Sequence, residues 1–313
     1  MATVVITGGA GFIGSNLAHA LLQRGDKVRV VDNFSTGRRV NLADIAGDIE
    51  IIEGDIRDRA LLDKVFAGAT NVLHQAALPS VARSVEDPET SHAVNVGGTL
   101  NVLQAARQAG VQRVNFAASS AAYGETPVLP KVETMAPDPL SPYGAQKLMG
   151  EHYCKVWTRC YGLECVALRY FNVFGPRQSP ENEYAAVIPR FVTWMQAGKQ
   201  PTVFGDGGQT RDFAYIDNVV QANLLAMTAP AAPGNVYNVA CHERVSLLDL
   251  VNTINDLLGT NIEPMFLSAR AGDIRDSLAD ISAAQRDLGY TAPVKFAEGL
   301  RRAIAWYAEH PNG

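Results

Sequence analysis

The segment Thr7-Gly8-Gly9-Ala10-Gly11-Phe12-Ile13-Gly14 follows the apolar run Val4-Val5-Ile6 and opens the helix-period stretch Ser15 to Leu22. Strand, glycine turn and helix start in that order let backbone approach a pyrophosphate, whose charge the helix N-terminus stabilises. The glycines at 8, 11 and 14 space as G-x-x-G-x-x-G rather than G-x-G-x-x-G, but the physical demand is the same. Asp32 ends the next apolar run, 18 residues after Gly14, where a carboxylate accepts hydrogen bonds from ribose hydroxyls and repels a 2′-phosphate. Arg38-Arg39 nearby would suit that phosphate. Asp32 occupies the strand end itself, so NAD is favoured over NADP. Asp55-Ile56, after the third run, suits the adenine edge, although an acid after a strand is also an ordinary turn residue.

Short apolar runs alternate with helix-period segments through the first half of the chain. Val28 to Val31, Ile49 to Ile52 and Val72-Leu73 read as strands. Long helices over about 88–109 and 142–160 precede the runs Val114 to Ala117 and Val166 to Leu168. That alternation predicts an α/β fold of the Rossmann type, a doubly wound parallel sheet with right-handed crossovers. After about Tyr170 prolines and glycines become dense, as in Gly175-Pro176 and Gly205-Asp206-Gly207-Gly208. The expected organisation is a dinucleotide-binding domain over 1–170 and a smaller mixed α/β lobe over 171–313, some of whose segments return to the first domain.

The net charge of -5 argues against general nucleic-acid binding, which needs a basic face. The cysteines Cys154, Cys160, Cys165 and Cys241 lack C-x-x-C spacing, so reduced thiols are expected rather than a zinc site or disulfide framework. The N-terminal apolar run is broken too early for a signal peptide, and no long apolar stretch follows, which predicts a soluble, cytoplasmic protein without membrane partners.

Ser141-Pro142 is a helix start, with serine as N-cap and proline in the first turn. Tyr143 and Lys147 then share one face. Alone, the pair fits any amphipathic helix. Beside a bound oxidised nicotinamide, an ammonium and the ring's positive charge would lower the phenol pKa, letting Tyr143 take a proton while hydride leaves the same carbon. Ser119 and Ser120, at the end of the run Val114 to Ala118, fall where ligand groups gather in an open α/β sheet. A serine there can hydrogen-bond the reacting oxygen.

This set resembles the extended short-chain dehydrogenase/reductase family, specifically its UDP-glucose and UDP-N-acetylglucosamine 4-epimerases, over nearly the whole chain. The resemblance implies Ser119 as the catalytic hydroxyl with Ser120 supporting, Tyr143 as base, and Lys147 as its partner and holder of the nicotinamide ribose. It places Gln75, Ala76 and Ala77 under the cofactor, Asn95 as a helix anchor and Tyr170 near the nicotinamide. It extends the expected cofactor set to Phe12 and Ile13 in the loop and to Asn33, Ser35, Thr36 and Gly37 after Asp32. Asn172, Arg211 and Arg270 would hold the substrate diphosphate, which two guanidiniums suit by bidentate bonding. Val203 and Phe204 would hold uracil with Ala186 and Val187 facing it, and Gln209 and Asp273 would complete the set.

Dehydratases of this superfamily carry acids after the strand-end hydroxyl; here those positions hold Ser120 and Ala121. A plain 4-epimerase is therefore expected. Ser277 falls at the family position beside the sugar C2 substituent, where a small residue leaves room for an acetamido group, and Gln178 is expected to donate to that acetamide. UDP-GlcNAc/UDP-GalNAc conversion is thus expected, with UDP-Glc/UDP-Gal alongside, since one methyl-scale difference is worth only about 1–3 kcal/mol. UDP-glucuronate and a non-catalytic NAD-binding regulatory role are the alternatives. The resemblance also implies a homodimer built on the two long helices.

Overall fold

The computed structural model describes residues 2–180, 186–268 and 275–310. Arg270 and Asp273 lie outside the described residues.

The central strands are β1 (Thr3–Thr7), β2 (Lys27–Asp32), β3 (Glu50–Glu53), β4 (Asn71–His74), β5 (Arg113–Ser119) and β6 (Glu164–Tyr170). Three short pairs follow in the second half: β7 (Asn172–Phe174) with β10 (Phe213–Tyr215), β8 (Thr202–Phe204) with β13 (Met265–Leu267), and β9 (Thr210–Arg211) with β12 (Val245–Ser246). β11 (Val236–Val239) leaves that half of the chain and joins the central sheet beside β6. The sheet order is β3-β2-β1-β4-β5-β6-β11, parallel throughout. Chain direction across the sheet reverses between β1 and β4, and the crevice at the carboxyl ends of those strands is where such folds bind ligands.

Alternation along β1 explains the layers. Val4 and Ile6 bury into a cluster with Leu17, Leu21 and Met227, whereas Val5 points into one with Val72, Val102 and Trp157. Period-two side chains thus feed both faces of one strand. On the first face lies α1 (Phe12–Gln23). On the other lie α2 (Arg59–Val65), α5 (Thr99–Gln108) and α6 (Pro142–Tyr161). α6 begins as expected, with the Ser141 hydroxyl accepting from the Gly144 N–H at 3.1 Å, and it ends at Gly162 in the left-handed region.

The long helix expected over 88–109 is interrupted. After α3 (Val81–Glu86), α4 (Pro88–His92) leads into a π-helical turn over Ala93–Gly98 before α5. The buried Asn95 sits in that turn, its side chain bonded to both backbone groups of Leu78 and to Gln146. Wide turns of this kind recur at functional sites. The remaining helices used below are α7 (Val187–Gln196) and α8 (Ile216–Ala226), the latter packed on α1.

Candidate active site

A cavity of about 470 Å³ opens at the switch point, lined from the glycine loop, the ends of β2, β4, β5 and β6, and α6. Gly8 has φ +70, and a Cβ there would stand 2.6 Å from the Ala76 nitrogen; a Cβ on Gly14 would stand 2.2 Å from the Gly8 oxygen. Only glycine lets β1, the loop and the segment after β4 close up in this way. Asp32 is buried at the end of β2 and accepts from the Ala10 N–H at 2.9 Å and the Phe34 N–H at 2.8 Å. Burial raises its carboxyl pKa, with these backbone bonds opposing. Gly37 lies directly behind, a Cβ there falling 2.7 Å from the carboxylate, so it supports Asp32 rather than lining the cavity.

Phe12, Ile13, Gly11, Asn33, Ser35, Thr36, Asp55, Ile56, Ala76 and Ala77 line the cavity. Asp55 is gripped by Arg57 through bonds of 2.9 and 2.8 Å and by Asn33 at 2.9 Å, which holds its carboxyl down at about 2. Arg39 pairs with Glu53 and stacks on Phe34. Asn95, expected among the cofactor contacts, does not line this wall: its amide is spent on Leu78, Ser91 and Gln146. Ser120 opens the short helix after β5, and of the serine pair Ser119 lines the cavity.

Ser119, Tyr143 and Lys147 meet on one wall. The Ser119 hydroxyl accepts from the Ala121 N–H at 3.2 Å, and the Tyr143 backbone N–H donates to Ser84 at 3.1 Å. Lys147 is buried, donates to the Ala117 carbonyl at 2.7 Å and stands 5.0 Å from the centre of the Phe116 ring. Burial brings its pKa down to about 8, opposed by Glu151 and Cys154. In the protein alone the Tyr143 phenol pKa is raised by burial, with the Ser119 hydroxyl opposing. The ammonium is turned onto Ala117 rather than onto the phenol, so burial dominates.

Comparison with known proteins decides what this arrangement is. The NAD dependent epimerase/dehydratase family matches residues 4–240. The chain belongs to that family. A UDP-glucose 4-epimerase of Mycolicibacterium smegmatis is 38% identical over 307 residues, covering 97% of each chain. The structure of a UDP-N-acetylglucosamine 4-epimerase from Methanobrevibacter ruminantium, in complex with UDP-N-acetylmuramic acid, superposes with TM-score 0.94 at 40% identity, covering 99% of each chain. A UDP-glucose 4-epimerase of Thermus thermophilus in complex with NAD superposes with TM-score 0.89 at 36% identity, covering 98% of this chain and 99% of that one. The chain is an isomerase of the extended short-chain dehydrogenase/reductase type, and NAD is its cofactor.

The residues present fit that cofactor. The glycine loop and Asp32 line the cavity together, where a dinucleotide's pyrophosphate and ribose would meet backbone and carboxylate. On the cavity wall the Gln75 amide nitrogen is buried without a partner among the described residues, a donor awaiting an acceptor.

A second cavity of about 590 Å³ adjoins the first, the two sharing Val173 and Ala186. Asn172, Val187, Phe204, Gln209 and Arg211 line it, as expected of a substrate site. Gln209 donates to the Phe204 carbonyl at 2.6 Å, and Arg211 to the Thr210 carbonyl at 2.8 Å. Val203 does not reach the cavity; it is fully buried in the second lobe's core, because period two sends it opposite to Phe204. Ser277 lines neither cavity; its backbone N–H donates to the Thr210 carbonyl at 3.1 Å, next to Arg211. Gln178 lines the first cavity but is oriented against expectation. Its amide nitrogen donates to the Val173 carbonyl at 3.1 Å, leaving the oxygen buried and unpaired among the described residues.

Sequence reasoning passed over Arg177, whose guanidinium lines the first cavity and donates to Asn16 at 2.9 Å, tying the loop after β7 to α1. It also passed over Arg190 and Trp194 in the second cavity, with the guanidinium carbon 4.9 Å from the ring centre. Their spacing of four on α7 was the available signal.

Proposed function

We propose that this protein is an NAD-dependent UDP-hexose 4-epimerase that interconverts UDP-GlcNAc and UDP-GalNAc, and UDP-Glc and UDP-Gal, in the cytoplasm. The observation that carries the reading is the placement of Ser119, Tyr143 and Lys147 on the wall of a dinucleotide cavity that opens at Val173 and Ala186 into an arginine-bearing one. NAD, when bound, supplies the hydride acceptor and donor at sugar C4. Tyr143, as phenolate, takes the C4 hydroxyl proton, and Ser119 hydrogen-bonds the same oxygen. Lys147 keeps a positive charge behind the phenol and holds the ribose. Asn172 and Arg211 hold the diphosphate, with Arg270 joining them, while Phe204 and Val187 flank the base. The nucleotide anchors the substrate while the keto sugar turns and its C4 oxygen regains the proton from Tyr143. With Ser120 and Ala121 in place of acids, elimination of water from the keto sugar lacks its acid and base.

The acetamido preference is supported by Gln178. Its oxygen, unpaired among the described residues, accepts, so it suits the N–H of an acetamide. The test is direct. Purified protein incubated with UDP-GlcNAc should form UDP-GalNAc without added NAD and without accumulating reduced cofactor. Net accumulation of reduced cofactor would replace the epimerase by a dehydrogenase. Parallel reactions with UDP-Glc and UDP-glucuronate rank the substrates, and faster turnover of UDP-glucuronate would displace the UDP-hexose assignment.

The same reading includes a homodimer. On α6, Met149, Val156 and Tyr161 are exposed, as are Val81 and Val85 on α3, an apolar surface that a second copy would cover. Light scattering of the wild type and of Met149→Arg/Val156→Arg should give dimer and monomer masses; a monomeric wild type rejects the dimer.

A further inference from the structure

A line of buried polar groups runs from α8 into the NAD cavity. Asn223 is fully buried and donates its amide nitrogen both to the Val219 carbonyl and to the Tyr170 hydroxyl, each at 2.8 Å. Tyr170 in turn donates to the Gln75 amide oxygen at 3.2 Å. A carbonyl can only accept, so Val219 holds the nitrogen end of Asn223 on that side. The Tyr170 oxygen accepts from Asn223, and its single proton goes to the Gln75 amide oxygen. Burial pushes the phenol up to about 12, and it remains a donor across the working range. The Gln75 oxygen is thereby held on Tyr170, and its nitrogen is left buried and unpartnered among the described residues, in a side chain that lines the cavity.

We infer that Asn223 is a positioning residue for NAD: through Tyr170 it fixes the Gln75 amide so that the nitrogen, and not the oxygen, is the end left to bond an acceptor oxygen of the bound dinucleotide. A buried donor without a partner is costly, and a ligand oxygen relieves that cost. Without Asn223 and the Tyr170 proton, nothing in this line prevents the amide from turning over and presenting its oxygen instead.

The test uses cofactor-free full-length protein titrated with NAD by calorimetry, with UDP as the control ligand. Gln75→Met, Tyr170→Phe and Asn223→Ala should each weaken NAD binding about tenfold, the scale of one lost hydrogen bond. Affinity for UDP should stay unchanged, and saturating NAD should restore the wild-type kcat in Asn223→Ala. The Gln75→Met/Asn223→Ala double variant should bind NAD no more weakly than Gln75→Met alone, because both changes remove the same contact. Wild-type NAD affinity in Tyr170→Phe or Asn223→Ala, or losses that multiply in the double variant, overturns the inference. Should Asn223→Ala not fold, the cycle of Tyr170→Phe with Gln75→Met poses the same question, since Tyr170→Phe keeps the ring in place.

Discussion

The ammonium of Lys147 stands 5.9 Å from the centre of the Tyr143 ring, and its hydrogen bond of 2.7 Å goes not to the tyrosine but to the Ala117 carbonyl on β5. Lys147 therefore ties α6 to the strand that carries Ser119 rather than bonding the phenol. Tyr143→Phe keeps the ring and removes only the acid–base group. Turnover should fall by about two decades or more, with NAD still retained in the purified protein. Near-normal turnover would exclude Tyr143 as the base.

His74 is held neutral. Thr99 donates its hydroxyl to the Asn95 carbonyl at 2.6 Å, so it accepts from the His74 Nε2–H at 3.0 Å; Nδ1 then accepts from Thr7 at 2.7 Å. Burial, with Lys147 adding to it, brings the imidazole down to about 3. The folded pKa lies below the unfolded value of about 6.5, so the unfolded chain binds the extra proton between the two. Stability should be lost as pH falls from about 6.5 toward 3, by about 1.4 kcal/mol per pH unit from this residue alone. Denaturant titrations at several pH values should show that slope reduced in His74→Gln; equal slopes would assign the acid sensitivity elsewhere.

Glu151 and Arg169 form a buried ion pair, with bonds of 2.8 and 2.7 Å between α6 and β6. Removing one partner strands a buried charge, so Glu151→Gln should cost about 3–5 kcal/mol in chemical denaturation. The paired change Glu151→Leu/Arg169→Met should cost clearly less than either single change. If the double is the worst of the three, packing and not charge sets the cost.

At the glycine loop, Gly14→Ala would place a methyl 2.2 Å from the Gly8 oxygen. The loop must shift, and the pyrophosphate site with it. NAD affinity should drop at least tenfold, while UDP binding in the second cavity is kept. Intact NAD affinity in Gly14→Ala would show that the loop yields without consequence.

Much of the cofactor site was legible because it is local. Strand, glycine turn and the acid at the next strand end are contiguous patterns, and each dictates its own backbone geometry. The start of α6 was legible for the same reason, through Ser141 and Pro142. The misses share a different cause. Asn95 and Ser120 sit beside functional positions in sequence, yet Asn95 lies in a π-helical turn, Ser120 opens a short helix, and neither lines the cavity. Val203 and Phe204 differ by one residue and face opposite sides of a strand. The orientation of Gln178 depends on the Val173 carbonyl, which no local pattern reveals.

By itself the sequence determined the doubly wound fold, the cofactor and the residue types of the proposed proton-transfer set, because hydrophobic period, glycine spacing and helix capping act over a few neighbouring residues. Only the tertiary structure decided which way each polar group faces. It turned Lys147 onto Ala117, joined the two cavities at Val173 and Ala186, and linked Asn223 to Gln75 across 148 positions of sequence. Those choices follow from satisfying buried donors and acceptors across distant segments, a constraint that exists only once the chain has closed on itself.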